Sequence, residues 1–289
     1  MTYSRAMVSI LLTGIAALDI IHSLDTYPGA DDEVRADARR ISCGGNAANS
    51  ANVLAQLGHS VSLACNWADD LIATEIRALL SQRNINLPIH TSMPGQSPLS
   101  CITLSSQTHS RNIIHYRDLP ELDFKTWQQL PLDNYLWFHF EGRNPDHTVR
   151  MMQAARDLNC HISLELEKPR DGLDQLLPLA DVIMLSRPYA EAHGFASARE
   201  CLEYFSRNHQ GILSCTWGQQ GAWLYSRGQM YHAQAQTTAR IVDTLGAGDT
   251  YNAGLIHAIA TGMRADQAVD FAARLATTKT TQTGLDQLV

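Results

Sequence analysis

The chain is expected to fold as an α/β protein with a mostly parallel central sheet, helices on both faces and a small β-sheet lid. Three observations predict the layers. Short apolar runs alternate with segments of helical spacing along most of the 289 residues, the pattern of strands buried under crossover helices. Glycine-bearing stretches follow several of those runs, at strand ends where such sheets bind ligands. Two β-prone regions, about 20–42 and 97–118, break the alternation and read as an antiparallel accessory. At this length one core is still sufficient, so a single domain spanning 1–289 with that lid is expected.

Taken in order, Arg5 and the apolar run 6–18 have the look of a secretory signal. The run is too short to span a bilayer and leads into Asp19-Ile20-Ile21 without a convincing cleavage site, so it reads as a buried first strand, 9–18. Residues 31–41, with Val34 and Ile41 among charges, supply one or two accessory strands. Ala47, Ala51, Leu54 and Leu57 recur at helical spacing and stop at Gly58. Strands follow at 61–65, 136–140, 162–166, 182–185 and 212–215, and helices at 71–80, 149–158, 198–205 and 265–275. The runs 99–105 and 112–116, joined by Ser106-Gln107-Thr108-His109-Ser110, form a hairpin. Ala253, Leu255, Ile256, Ile259 and Ala260 mark a helix stopped by Gly262. A sheet as small as the accessory buries little alone, which makes it a lid, a dimer surface or both.

Composition narrows the partners. With 22 basic and 29 acidic residues the net charge is −7, and no basic cluster exceeds Arg39-Arg40, which argues against nucleic acid. Nothing in the apolar pattern calls for a membrane. Six cysteines without a Cys-x-x-Cys suggest free thiols in a reducing cytoplasm. No Gly-x-x-x-x-Gly-Lys, Gly-x-Gly-x-x-Gly or Gly-x-Ser-x-Gly occurs. His139-Phe140-Glu141 lacks the following Pro-Cys-x-x-Cys of a deaminase.

Gly246-Ala247-Gly248-Asp249, followed by Thr250 and an apolar stretch, is the most informative segment. Both glycines can take positive φ, so backbone N–H groups can converge at a helix start and stabilise a transferring phosphoryl group. Asp249 is then the candidate to accept a substrate hydroxyl proton. On those four residues alone, an ordinary glycine turn with an N-capping aspartate is the better reading. Gly44-Gly45-Asn46-Ala47-Ala48-Asn49 opens a helix with Asn46 and Asn49 on one face, suited to a polyhydroxylated ligand, although Asn46 could equally be a plain N-cap. Asp19 adds an acceptor after the first strand or is a turn former. Thr216-Trp217-Gly218-Gln219-Gln220-Gly221 follows a strand and could hold phosphate or be a hairpin turn. Glu165 and Glu167 share one strand face and could bind Mg²⁺ through water or be solvated acids. Arg111 is an anion contact or a solubilising charge.

In combination, Gly44-Gly45-Asn46-Ala47-Ala48-Asn49, Thr216-x-Gly218-x-x-Gly221 and Asp243-Thr244-Leu245-Gly246-Ala247-Gly248-Asp249-Thr250 resemble the ribokinase (PfkB-type) family of sugar kinases. Asp25-Thr26-Tyr27-Pro28, His139-Phe140-Glu141-Gly142-Arg143-Asn144, Glu165-Leu166-Glu167-Lys168-Pro169-Arg170 and Gly284-Leu285-Asp286 are similar to its ketohexokinase branch, so the resemblance covers nearly the whole chain. It implies ATP-dependent phosphorylation of a sugar hydroxyl, with Mg²⁺ as cofactor, K⁺ as an activator and a homodimer formed through the lid. Asp249 would be the general base and Gly246, Ala247 and Gly248 the anion hole. Asp19, Gly45, Asn46 and Asn49 match sugar-contacting positions, Arg111 a position near the transferred phosphate, and Asp31 a lid residue that reaches the partner's sugar site. Thr216, Trp217, Gly218 and Gly221 match the nucleotide side. Two departures stand out. Ser186-Arg187-Pro188-Tyr189 replaces the Asn-x-x-Glu of many relatives, and Thr280-Thr281-Gln282-Thr283 replaces a glycine-containing segment near the adenine pocket.

Overall fold

A computed structural model describes residues 7–108, 110–236 and 241–289. Arg5 and Ala6 of the signal-like run, and His109 of the hairpin turn, lie outside the described residues. In chain order the strands are β1 (Ser9–Thr13), β2 (Ala17–Leu24), β3 (Ala38–Gly44), β4 (Ser60–Ala64), β5 (Leu99–Ser105), β6 (Arg111–Tyr116), β7 (Trp137–Glu141), β8 (His161–Leu166), β9 (Val182–Leu185), β10 (Ile212–Thr216), β11 (Ala222–Ser226) and β12 (Gln229–Ala233). The helices are α1 (Asn46–Gln56), α2 (Leu71–Ser81), α3 (Phe124–Trp127), α4 (Pro145–Asp157), α5 (Arg187–Ala192), α6 (Ala198–Phe205), α7 (Ala247–Ala260) and α8 (Ala265–Thr280).

Eight strands form the main sheet in the order β12-β11-β10-β9-β8-β7-β1-β4. It is parallel from β4 to β10 and closes with the antiparallel strands β11 and β12. β7 and β9 are buried at every position, as strands covered on both faces must be; β9 is accordingly apolar throughout, whereas β7 carries His139 and Glu141, whose side chains find partners in Ser163 and in the Ile15 and Ala47 amides. A second sheet, β3-β2-β5-β6, has β2 and β5 parallel and its outer strands antiparallel.

The expected single first strand is two strands in different sheets. The break falls at Gly14, where a Cβ would lie 2.2 Å from Glu141 Oε1. The same oxygen accepts Ile15 N at 3.1 Å, which turns the chain out of the main sheet and into β2. Between 31 and 41 only β3 forms, and it begins at Ala38; Asp31 instead sits in a turn at φ 63°. α4 starts earlier than its apolar spacing indicates because Pro145 occupies the first helical position, where a missing N–H costs nothing. α8 runs past Leu275 to Thr280 through a polar turn that carries no apolar spacing. α3, α5 and β12 have no counterpart among the expected elements. α7 packs between α1 and α8, and this brings the two asparagine and aspartate motifs together.

Candidate active site

The left-handed turn that the sequence anticipated is at Gly246, which caps α7 at φ 74°. Gly248 is different: it is the second residue of the helix and has no positive φ, and a Cβ there would meet nothing within 4 Å. Its missing side chain leaves open space rather than a turn. Thr250 N and Thr250 Oγ1 both donate to the Gly246 carbonyl at 2.8 Å, which closes the first turn. Gly248 N and Asp249 N belong to the orphan amides of that turn and have no acceptor among the described residues. They point their dipoles, with the positive end of α7, toward the same space.

Asp249 is buried, and Asn49 Nδ2 donates to its Oδ2 at 2.7 Å. Ser50 Oγ holds the Asp249 carbonyl at 3.2 Å, so α1 grips both ends of the residue. Burial raises the Asp249 carboxyl to about 7; the Asn49 bond opposes the rise, and the charges of Glu167, Glu141 and Asp19 add to it. A group that ionises near neutrality is suited to general-base work.

Asn46 is the first residue of α1, and the cap is Gly45, so the N-cap alternative for Asn46 does not hold. Its amide donates to Glu165 Oε1 and to Glu167 Oε2, each at 3.2 Å. Glu165 Oε2 is buried with no hydrogen-bond partner among the described residues. Its carboxyl is pushed well above the ordinary range by burial first, then by Asp249, Glu141 and Glu167. Asp19 lies on β2 against Gly44, where a Cβ would be 2.1 Å from Asp19 Oδ2. Burial raises the Asp19 carboxyl, while Ser100 and Arg40 pull it back. Asp19, Asn46, Asn49 and Asp249 thus converge where the two sheets meet. Among the described residues no group of three or more His, Cys, Asp or Glu side chains is arranged to hold a metal ion.

A cavity of about 590 Å³ opens beside this cluster, lined among others by Thr216, Gly218, Gly221, Ala247, Gly248 and Thr280. The segment 216–221 is therefore both a hairpin turn, with Trp217 N donating to the Gly221 carbonyl at 2.8 Å, and a cavity wall. Trp217 is not among the lining residues; its ring is buried, with the Arg187 guanidinium 5.6 Å from its centre. Arg111 reaches from β6 to donate to Thr244 Oγ1 at 2.7 Å, two residues before Gly246. Asp31 is exposed and takes no part in the cluster.

Three residues with clear roles escaped the sequence reading. Glu141 accepts Ala47 N at 2.8 Å as well as Ile15 N, and pairs with Arg143, which anchors α1 to β7. Tyr251 forms part of the cavity floor and is hydrogen-bonded to Ser214 at 2.6 Å. Lys279 is fully buried on the stripe Ala268, Ala272, Leu275, Lys279. That spacing was legible: extending the apolar pattern by one helical step lands on Lys279.

The chain matches the model of the pfkB family carbohydrate kinases over residues 7–288. It is 35% identical to a ketohexokinase of Mus musculus, over 97% of this chain and 98% of that protein. The adenosine kinase of Sinorhizobium meliloti has the same fold, with a TM-score of 0.83 at 20% identity, covering 98% of this chain and 97% of the other. The ribokinase of Thermotoga maritima follows at a TM-score of 0.79 and 18% identity, covering 98% and 96%. The fold is ribokinase-like, and the family match makes the chain a phosphotransferase. This chain belongs to the pfkB family of carbohydrate kinases.

Proposed function

We propose that this sugar kinase transfers the γ-phosphoryl group of ATP to a primary hydroxyl of a ketohexose such as fructose. The observation that carries the reading is Asp249, a buried carboxylate raised to about 7 and held by Asn49, beside the free amides of α7. Asp249 accepts the hydroxyl proton as the oxygen attacks. Of the expected Gly246–Gly248 anion hole, Ala247 N donates to the Thr244 carbonyl at 3.4 Å, which leaves the amides of Gly246, Gly248 and Asp249, with the α7 dipole, to stabilise the charge on the transferring group. Asp19, Gly45, Asn46 and Asn49 orient the sugar, and Thr216, Gly218 and Gly221 wall the ATP cavity, with Trp217 supporting the turn from behind. The ketose assignment is supported by the likeness to ketohexokinase over almost the full length.

Mg²⁺ fits Glu165 and Glu167. One of their carboxylate oxygens is buried and unpartnered, and two carboxylates suit an ion that keeps waters and phosphate oxygens of its own. The ion would supply charge neutralisation between the phosphates. K⁺ as activator rests on the resemblance alone. The small sheet serves as lid, and its exposed Ile41, Ile114 and Tyr116, which share one face, support a homodimer through that face, in which Asp31 of one protomer reaches toward its partner. Among the described residues no helix is long and apolar enough to cross a membrane, and the unpaired cysteines favour a cytoplasmic site of action.

ADP release across ketoses, aldoses and nucleosides, with and without K⁺, tests the assignment. Release with fructose, yielding a sugar phosphorylated on a primary hydroxyl, is expected. Release with ribose or adenosine but not fructose rejects the ketose, and release with none of them marks a binding protein without turnover. The pH profile carries a second expectation. Asp249 must be ionised to accept a proton and burial opposes ionisation, so kcat/KM for the sugar rises with pH through about 7. A profile flat from pH 5.5 to 8, where a titrating base would give a fall of ~10-fold per pH unit below its pKa, removes Asp249 as the titrating base. Arg111→Ala is expected to lower kcat/KM for ATP by on the order of 10- to 10²-fold, the range for a lost hydrogen bond between charged groups. Because Arg111 is exposed, the melting temperature should hardly move; a large fall would make the residue structural.

A further inference from the structure

Lys279 has no solvent exposure, which is rare for a lysine and requires a partner. Its ammonium donates to the Asp243 carbonyl at 2.9 Å and lies 3.0 Å from Asp243 Oδ2. The next residue, Thr280, offers its carbonyl to Val242 N at 2.7 Å and to Asp243 N at 3.3 Å. Asp243 itself accepts Arg40 Nη2 at 3.0 Å, Leu245 N at 2.9 Å and Gly284 N at 3.1 Å. The end of α8 therefore holds residues 242 and 243 by main chain and side chain together, and Gly246 follows three residues later. Lys279 lines neither the cavity beside Gly248 nor the cluster around Asp249.

A buried ion pair is weak evidence for stability, because the desolvation of two charges offsets most of their attraction and an apolar pair of similar volume often does as well. What an apolar residue cannot do is fix the orientation of a peptide group. Lys279 binds the carbonyl and the carboxylate of one residue at once, and that locks the Asp243–Thr244 peptide against rotation.

We propose that Lys279 is a positioning residue for phosphoryl transfer: its ammonium fixes the Asp243–Thr244 peptide and so holds the Gly246–Asp249 turn in its working register. The proposal rests on the assignment of that turn as the transfer apparatus, and Asp249→Asn assayed alongside separates the two. If Asp249→Asn keeps near-normal turnover, the assignment of the turn fails; otherwise the Lys279 variants judge the present proposal. Lys279→Met keeps volume and leaves Asp243 paired with Arg40. Its kcat is expected to fall at least ~10-fold with KM for the sugar within about threefold, the signature of an interaction that matters in the transition state. In Asp243→Asn/Lys279→Met the remaining buried carboxylate is removed, so the melting temperature recovers toward that of the unmodified protein while kcat does not. Near-normal kcat in Lys279→Met overturns the proposal. So does recovery of kcat together with stability in the double variant, or failure of both variants to fold at about 25 °C, since either marks Lys279 as structural only.

Discussion

Asp249→Asn is expected to lower kcat by on the order of 10²–10⁴ while ATP binding survives, the range for removal of a positioned general base. Asparagine keeps the shape and can still accept the Asn49 amide that now lies 2.7 Å from the carboxylate. What disappears is the ability to take a proton from the sugar. The same substitution should also stabilise the fold at neutral pH. The Asp249 carboxyl is raised from 3.8 to about 7, so between those values the folded state holds a proton that the unfolded chain has released. Folding then loses stability as pH rises from about 4 toward 7, because it must take up a proton that becomes scarcer, and above 7 the buried group carries its unfavourable charge. A melting temperature measured at pH 6 and pH 8 should fall less in Asp249→Asn than in the unmodified protein. Turnover within a few-fold of normal in the variant would sink the base assignment.

Gly45→Ala carries the second large effect, and here the cost is in the fold. Gly45 caps α1 at φ 97° and ψ 137°, outside the left-handed helical region and in backbone space that an L-residue adopts at a cost of about 1–3 kcal/mol. A Cβ would also lie 2.4 Å from the Ile15 carbonyl oxygen, a backbone atom that cannot swing aside. Overpacking of that kind adds about 1–3 kcal/mol. Gly58 gives the control: it has φ 89° and no atom within 4 Å of a built Cβ, so Gly58→Ala should cost only the conformational part. Chemical denaturation of the two variants compares them directly, and equal losses would reject the clash. Any Gly45→Ala protein that folds should also bind the sugar poorly, since Asn46 and Asn49 ride on the helix that this residue aims.

Most of the layer pattern was legible because buried parallel strands and amphipathic helices leave strong local signals. α6 has the bounds its spacing indicates, and β9 coincides with its apolar run. The split between β1 and β2 was hidden, since one apolar run feeds two sheets and the cause is Glu141, more than a hundred residues away. The glycine-rich motifs marked the site's location. Its electrostatics were not visible, because the rise of Asp249 and Glu165 comes from burial and from carboxylates brought close by four separate segments. Gly248 shows the same limit in small: a glycine can signify a turn or an absence of bulk, and only the backbone tells which.

The joint between the sheets divides the small sheet into a near end and a far end. The chain enters the small sheet between Thr13 and Ala17, pinned by Glu141, and leaves it at Gly44, pinned by Asp19. Along the paired strands Asp19 stands opposite Ser100 and its neighbour His115, whereas Arg111 lies four residues further out, about 13 Å at the strand rise. Any difference in the angle at that joint displaces Arg111 about its longer arm more than it displaces Asp19, so the Arg111–Thr244 contact at 2.7 Å is the more sensitive gauge of how the two sheets are set against each other.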